Sequence, residues 1–466
     1  MFLNIDKFVE DGRVAAIDDS GNNITYKQLV DNASDFNGVV PARSIVFQLC
    51  ENTVGSLNAY VSMVENNVIP VTLSHTIDDE LFQTLYDIYK PQYICINKDD
   101  AVKYDLSVVY ESNSFVWLDC ANPQYPVHDK VQLLMTTSGS TGCPKLVKYK
   151  KGNLDSNAKN VAIAFGWTED ERSICDLAMN YTMGLNIINA HLYVGAQCLL
   201  ISSNIMSKKY WEFIKENKGT NFCGVPFSYD LYWKLHFKQM DTPYLKTMCE
   251  GGGKLTDAMF KDVAEFCKKS GKRFIPSFGT TETSARMARL EPEYTLDKIG
   301  SIGKAIPEGE LFLLDVEGNV IDDVVAEGEL AYRGPNVTMG YALNAADLAK
   351  DDEFKGVYKT GDVARRDSDG FYYIVGRMSR FLKLLSYRVS LDQCERMIQE
   401  EFGCEVACSG TDQKMSIYIV SDSDITKDVQ RFISSKLNMY PSLFGARMID
   451  KLPRNTSGKI MYKELD

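Results

Sequence analysis

Histidine is scarce in this chain of 466 residues: there are four, His75, His128, His191 and His236. The twelve cysteines are scattered, no two form a Cys-x-x-Cys pair, and the closest two, Cys404 and Cys408, have no histidine nearby. That pattern argues against a zinc site. Unpatterned cysteines in a long chain point to reduced thiols and a cytoplasmic setting. Positive charge is also in deficit, with 51 Lys and Arg against 63 Asp and Glu, a net charge of −12. This argues against a nucleic-acid partner, which requires clustered cations. It leaves room for a small anionic ligand, which needs only a local positive site. Long apolar runs are missing too. Asp6, Lys7, Glu10 and Asp11 break up the N-terminus, so no signal-peptide core is expected. The longest uncharged stretch, Leu177 to Ser207, contains Asn180, Asn186, Asn189, His191, Gly195 and Gln197. Those residues speak against a membrane span, and the stretch reads as a buried helix followed by a core strand from Cys198 to Ser202. No internal repeat or low-complexity tract is present.

What remains is an ordinary globular composition, 45% hydrophobic and 24% charged, long enough for two to four domains. The first hundred residues alternate strand and helix patterns. Ser44–Leu49, Val68–Leu73 and Gln92–Ile96 read as strands, with helices at Val54–Glu65 and Asp78–Tyr89 and a threonine-capped helix start at Thr25. Alternation of this kind predicts βα units and a parallel sheet, whose ligands sit at the carboxyl ends of strands. Helices at Lys209–Asn217 and Thr256–Ser270 and a strand at Phe222–Val225 continue the pattern. From about Ile302 short strands dominate, predicting a β-rich segment. The last ninety or so residues carry their own helices, Leu391–Glu401 and Thr426–Leu437. The expected organisation is a large α/β domain over 1–376 and a small α+β domain over 377–466.

The stretch from Thr136 to Lys145 follows the apolar strand Val131–Met135 and gathers hydroxyls, glycines and one lysine: Thr137, Ser138, Gly139, Ser140, Thr141, Gly142 and Lys145. Backbone N–H groups in glycine-rich turns form anion-binding concavities, and Ser, Thr and Lys add mobile donors, a combination suited to a polyphosphate. The glycine spacing excludes the P-loop of kinases and GTPases. Read alone, the segment is equally compatible with a surface turn. Gly251, Gly252 and Gly253 are either a loose turn before a helix or a backbone lying flat against a ligand. In Phe278-Gly279-Thr280-Thr281-Glu282-Thr283 an aromatic stands ready to stack on a planar ring. A threonine and a glutamate follow that suit a phosphate and a hard cation such as magnesium; the alternative is a helix cap. Asp362, in Tyr358-Lys359-Thr360-Gly361-Asp362, is either a sugar-diol ligand or part of an ordinary turn. Gly376-Arg377-Met378-Ser379-Arg380 reads as a linker. Lys459 sits in a Ser-Gly-Lys turn near the chain end.

Taken in order, these segments resemble the adenylate-forming superfamily: acyl-CoA synthetases, luciferases and the adenylation domains of non-ribosomal peptide synthetases. The likeness spans Thr136 to Lys459. It implies that 137–145 steers the ATP phosphates, that Gly251–Gly253 lies against adenine and the acyl group, and that Phe278, with Gly279, stacks on adenine. Thr281 corresponds to the α-phosphate contact, Glu282 to the magnesium ligand, Asp362 to the ribose ligand and Arg377 to the hinge arginine. Lys459 corresponds to the catalytic lysine of a mobile C-terminal domain. The implied activity is formation of an acyl-adenylate from ATP and a carboxylic acid, then transfer to a pantetheine thiol of CoA or an acyl carrier protein. The implied cofactors are ATP and Mg2+.

Three positions depart from the family pattern. Leu146 stands where glycine usually follows the loop lysine, Ser379 where the hinge carries Asp or Lys, and Ser386 where a glycine precedes Tyr387-Arg388. The last belongs to the thioester-forming surface of relatives and tilts the expected acceptor towards a carrier protein. Relatives that activate amino acids place an aspartate near Asn180-Tyr181-Thr182, whereas no acidic residue lies between Leu177 and Ser207. An unpaired buried ammonium costs several kcal/mol, which disfavours an amino acid unless another loop supplies the charge. Tyr181, Met183 and Gly184 are candidates for the acyl pocket, or alternatively a core-packed helix face. The competing readings are an aminoacyl–carrier protein ligase of the D-alanine type and a nucleotide-binding sensor that has lost catalysis.

Overall fold

The computed structural model describes every residue except Asp11, 137–144, Ser379, 385–386, 455–458 and Asp466; side chains 383, 387 and 388 are also outside the description. The chain divides into two compact units, Met1–Leu311 with Tyr332–Tyr358, and Phe312–Ala331 with Lys359–Asp466. The boundary drawn from the sequence at 376/377 falls inside the second unit.

The first unit is built on two large sheets. One runs, edge to edge, Lys304–Ala305, Ala288–Arg289, Arg273–Phe278, Thr247–Glu250, Asn221–Gly224, Arg172–Cys175, Gln197–Leu200, Val14–Asp18, Asn23–Thr25. Its six central strands are parallel. The other orders Tyr341–Ala342, Leu146–Lys150, Val131–Thr136, Ile69–Ser74, Ile45–Cys50, Tyr93–Asn97, Phe115–Asp119, Ser107–Ser112, with a parallel centre and antiparallel flanks. Ile45–Cys50 is buried along its whole length, which is why it reads as a continuous apolar run. Helices Val54–Glu65, Asn153–Phe165 and Thr182–Tyr193 share one apolar cluster with residues of both sheets, such as Ala16 and Cys198 of one and Leu133 and Tyr149 of the other. The first and third are buried around almost their whole circumference, polar residues such as Asn58, Asn186 and Asn189 included. Asp79–Tyr89 and Asp257–Ser270 are amphipathic and bury one face.

The α/β class expected from the sequence is the class observed. Val131–Thr136 pairs antiparallel with Leu146–Lys150, and these two strands bracket residues 137–144.

The second unit contains most of a four-stranded sheet (Glu310–Leu314, Ala326–Arg333, Val357–Arg366, Tyr372–Arg377) and the hairpin Phe381–Leu384/Tyr387–Ser390. Helices Leu391–Phe402 and Thr426–Leu437 pack on the three-stranded sheet Glu405–Thr411, Lys414–Val420, Phe444–Met448. Among the described residues no helix is long and apolar enough to cross a membrane. Eleven cysteines are described, all free and buried.

His191 is fully buried on the Thr182–Tyr193 helix. Its Nδ1–H donates to the Ile187 carbonyl (2.8 Å), Nε2 accepts from Asn221 Nδ2 (3.1 Å), and the Trp167 ring lies 4.0 Å away. Burial lowers its pKa to about 4. A base whose folded pKa is depressed supports the fold above its unfolded pKa and loses that support as pH falls through the folded value. The window is therefore about pH 6.5 to 4, and full protonation removes about 3 kcal/mol. Urea denaturation is expected to lose stability more steeply across this window in the wild type than in His191→Gln; parallel slopes would contradict this.

Candidate active site

Lys145 stands at the foot of the Leu146–Lys150 strand. The two-residue strand Tyr341–Ala342 pairs with that strand, setting Tyr341 opposite Val147. This registry carries the Lys145 ammonium to 3.7 Å from the centroid of the Tyr341 ring. A cation over an aromatic face is held by about 0.5–2 kcal/mol. The phenol of the same tyrosine donates a hydrogen bond to Glu282 Oε1 (2.6 Å). Burial and the Glu282 charge raise the Tyr341 pKa, so the phenol stays a donor.

Glu282 is buried, and it lies in the 3-10 turn Thr281–Thr283, capped by a Thr280/Thr283 capping box. The cap and the carboxylate presentation occur together, so the two readings of this segment are not exclusive. The Glu282 carbonyl accepts from the Thr338 N–H (2.9 Å). Among the described residues none hydrogen-bonds to its Oε2, which fits a cation ligand, since magnesium takes one or two carboxylates beside phosphate and water. Thr281 is tied in from below. Its carbonyl accepts from the Tyr149 hydroxyl (2.8 Å), and its hydroxyl accepts from Thr182 (3.1 Å) at the start of the Thr182–Tyr193 helix.

The strand Thr247–Glu250 delivers Gly251–Gly253 into a crowded place. A Cβ on Gly251 would meet Arg286 Nη1 at 2.8 Å and Ser277 Oγ at 3.0 Å. One on Gly252, where φ is +76°, would meet the Tyr181 hydroxyl at 2.4 Å, and one on Gly253 would meet Pro226 at 2.9 Å. Glycine is required here by close packing, not by a loose turn. Met183 Sδ lies by both Gly251 and Gly252 (3.4 and 3.6 Å to the same built positions), so Tyr181 and Met183 gather at this segment. Gly184 does not; its bare face is pressed on the carbonyls of Ala178 and Leu177. Phe278 is half-buried at the end of the Arg273–Phe278 strand, and Gly279 passes so close to the Ala285 carbonyl that no side chain fits.

In the second unit Asp362 and Arg377 face each other across antiparallel strands and form an ion pair (Nε to Oδ1 2.9 Å). Asp362 is buried while the Arg377 side chain is 62% exposed, so the aspartate is fixed and the arginine mostly solvated. Lys459 is half-buried beside the bridge between Arg454 and Ile460. The tail that bears it is anchored by Tyr462, whose ring lies 3.5 Å from Arg380 Cζ and whose hydroxyl donates to Glu395 Oε2 (3.1 Å). Arg380 in turn pairs with Asp392 and Glu395.

Thr137, Ser138, Gly139, Ser140, Thr141 and Gly142 lie outside the described residues. Three residues with no sequence motif emerge from the geometry: Tyr341, Arg286 and Glu250. Tyr341 sits in a plain Gly-Tyr-Ala triplet. Glu250 and Arg286 flank the glycine and threonine motifs, and the strand pairings of Glu250 with Pro276 and of Ser277 with Arg289 bring their neighbourhoods together.

The profile of the AMP-binding enzyme family matches residues 9–342. The chain belongs to the AMP-binding enzyme family, within the adenylate-forming superfamily. Curated relatives include the 2-succinylbenzoate–CoA ligase of Bacillus licheniformis, 28% identical over 347 residues (72% of this chain and 70% of the relative). That of Listeria monocytogenes is 28% identical over 340 residues (71% and 69%). Among solved structures, O-succinylbenzoate coenzyme A synthetase (MenE) from Bacillus subtilis in complex with AMP superposes with a TM-score of 0.80 at 20% identity, over 99% of this chain and 97% of that one. ATP-bound MatB from Rhodopseudomonas palustris gives 0.77 at 20%, over 100% and 98%. At these identities the structures establish the shared fold.

Tyr341→Phe keeps a ring beneath Lys145 and strips a charge-assisted hydrogen bond from a buried carboxylate. The expected cost is about 1.5–3 kcal/mol in denaturant unfolding. An unchanged midpoint would show that Glu282 does not depend on this phenol.

Proposed function

We propose that this protein activates a carboxylic acid with ATP, releasing pyrophosphate, and passes the acyl group from the acyl-adenylate to a pantetheine thiol. The convergence of Lys145, Tyr341 and Glu282 supports this reading most directly. A lysine charge and a buried carboxylate are held on either side of one phenol, with Glu282 Oε2 left open among the described residues. That is an arrangement for a polyphosphate and its cation. ATP binds with magnesium, which neutralises phosphate charge when held at Glu282.

In the first half-reaction a carboxylate oxygen attacks the α-phosphorus and the bond to pyrophosphate breaks. Two anions must meet. Lys145 and the 137–142 loop hold the β- and γ-phosphates, Thr281 the α-phosphate, and Lys459 neutralises charge that develops at the reacting phosphate. Phe278, Gly279 and Gly251–Gly253 take the adenine, and Asp362 with Arg377 the ribose. Tyr181 and Met183 line the acyl group, with Gly184 allowing the close helix approach behind them. In the second half-reaction the thiol sulfur attacks the acyl carbonyl and AMP leaves. The working division is a large body, 1–376, and a C-terminal domain, 377–466, that alternates between the two steps about Gly376–Arg380.

The relatives named above are CoA ligases, which supports the CoA thiol as acceptor. The pull towards a carrier protein came from Ser386, which lies outside the described residues. Free, buried cysteines suit a cytoplasmic enzyme.

Acid-dependent ATP–pyrophosphate exchange over a panel of fatty, aryl, hydroxy and amino acids tests this reading. Exchange is expected with one class of acid and is expected to fall about 10²–10³-fold in Lys459→Ala. ATP binding without exchange for any acid would favour the non-catalytic sensor, and undiminished exchange in Lys459→Ala would remove that lysine from the mechanism.

A further inference from the structure

Arg286 is 1% exposed, yet its Nε and Nη2 have no hydrogen-bond partner. Among the described residues no carboxylate stands within ion-pair distance of it. A guanidinium cannot shed its proton to escape burial. A buried, uncompensated cation is costly, and buried donors without partners are rare enough to require a reason.

The surroundings supply one. The guanidinium stands at the glycine wall, where Nη1 and Met183 Sδ crowd Gly251 and the Tyr181 hydroxyl crowds Gly252. Its field reaches Tyr181, Glu250 and the Cys223 thiol, which also hydrogen-bonds with it, and the Phe165 ring lies 5.7 Å from Cζ. Glu250 is the nearby carboxyl group, but it does not neutralise the arginine. It is 5% exposed, its Oε1 is unbonded, and burial raises its pKa to about 8 against the opposing pull of Arg286. At neutral pH Glu250 is therefore largely protonated, a hydrogen-bond donor rather than a rival anion.

We propose that Arg286 determines substrate choice by receiving a second carboxylate of the acid, the one that is not activated, so that the substrate class is dicarboxylic. Nε and Nη2 form the edge of a guanidinium that accepts a carboxylate by two parallel hydrogen bonds. Tyr181 and Met183 stand beside it at the glycine wall, and protonated Glu250 adds a donor. The inference rests on the adenylation reading and gives its acid a chemical class.

The test pairs dicarboxylic acids (glutarate, phthalate and 2-succinylbenzoate) with isosteres in which one carboxylate is a carboxamide. Each is assayed by ATP–pyrophosphate exchange with wild type, Arg286→Gln and Arg286→Lys, and by thermal shift without ATP. For at least one pair the wild type should favour the dicarboxylate about 100-fold in kcat/KM, mostly through KM, because a site built for a polar group rejects the analogue lacking it. The dicarboxylate should raise the melting temperature of the wild type and not that of Arg286→Gln, and Arg286→Lys should recover part of the preference. Equal rates for acid and amide in the wild type would overturn the anion site and leave adenylation standing. So would a preference that survives in folded Arg286→Gln, or a preference for α-amino acids that disappears in Glu250→Gln. Exchange with no acid, with ATP still bound, would overturn the adenylation reading itself.

Discussion

One phenol keeps a lysine and a glutamate apart. Paired directly, Lys145 and Glu282 would spend their charges on each other. With the Tyr341 ring between them, the ammonium rests on a π-face and the carboxylate on a hydroxyl. Both contacts are weaker than an ion pair in a partly buried site, where Coulomb attraction is strong. Each charge thus remains available to something else, the lysine to an anion and the glutamate's second oxygen to a cation. The geometry rests on backbone registry: Tyr341 pairs with Val147, two residues after Lys145, and the 3-10 turn that bears Glu282 is fixed by Thr338, Tyr149 and Thr182.

The same principle operates at the glycine wall. Gly251, Gly252 and Gly279 are needed because polar side chains or carbonyls occupy the space a Cβ would take. Removing side chains from the backbone lets Tyr181, Met183 and Arg286 close in on one strip of main chain. Stability is given up there in the form of an unsatisfied guanidinium and a carboxyl group pushed out of its usual range. Buried polar groups left without partners mark sites that a ligand completes.

Much of this was legible in the sequence because it is carried by short-range chemistry. The Thr25 capping box and the Thr256 cap announce their helices, and the buried helix Thr182–Tyr193 shows in its uncharged run. The ordered glycine, threonine and lysine motifs pointed to adenylate formation before any geometry was known. What the sequence hid is non-local. Helix Asn153–Phe165 starts from Gly152 at φ +89° with no capping side chain, and it buries Asn157 and Asn160 on a face that reads as polar. Tyr341 lies almost two hundred residues from Lys145 and acquires its place only through strand pairing, while Arg286 becomes notable only once it is seen to be buried with Nε and Nη2 unpartnered.

The central claim is that the acid's own oxygen attacks the α-phosphorus of ATP. The most direct measurement is a single turnover with carboxylate-18O-labelled acid, ATP and CoA, followed by mass spectrometry of the nucleotide. The account predicts AMP carrying one 18O atom, since the bridging oxygen leaves with AMP when the thiol attacks the carbonyl. Label in inorganic phosphate together with ADP would mean attack at the γ-phosphorus and would contradict it.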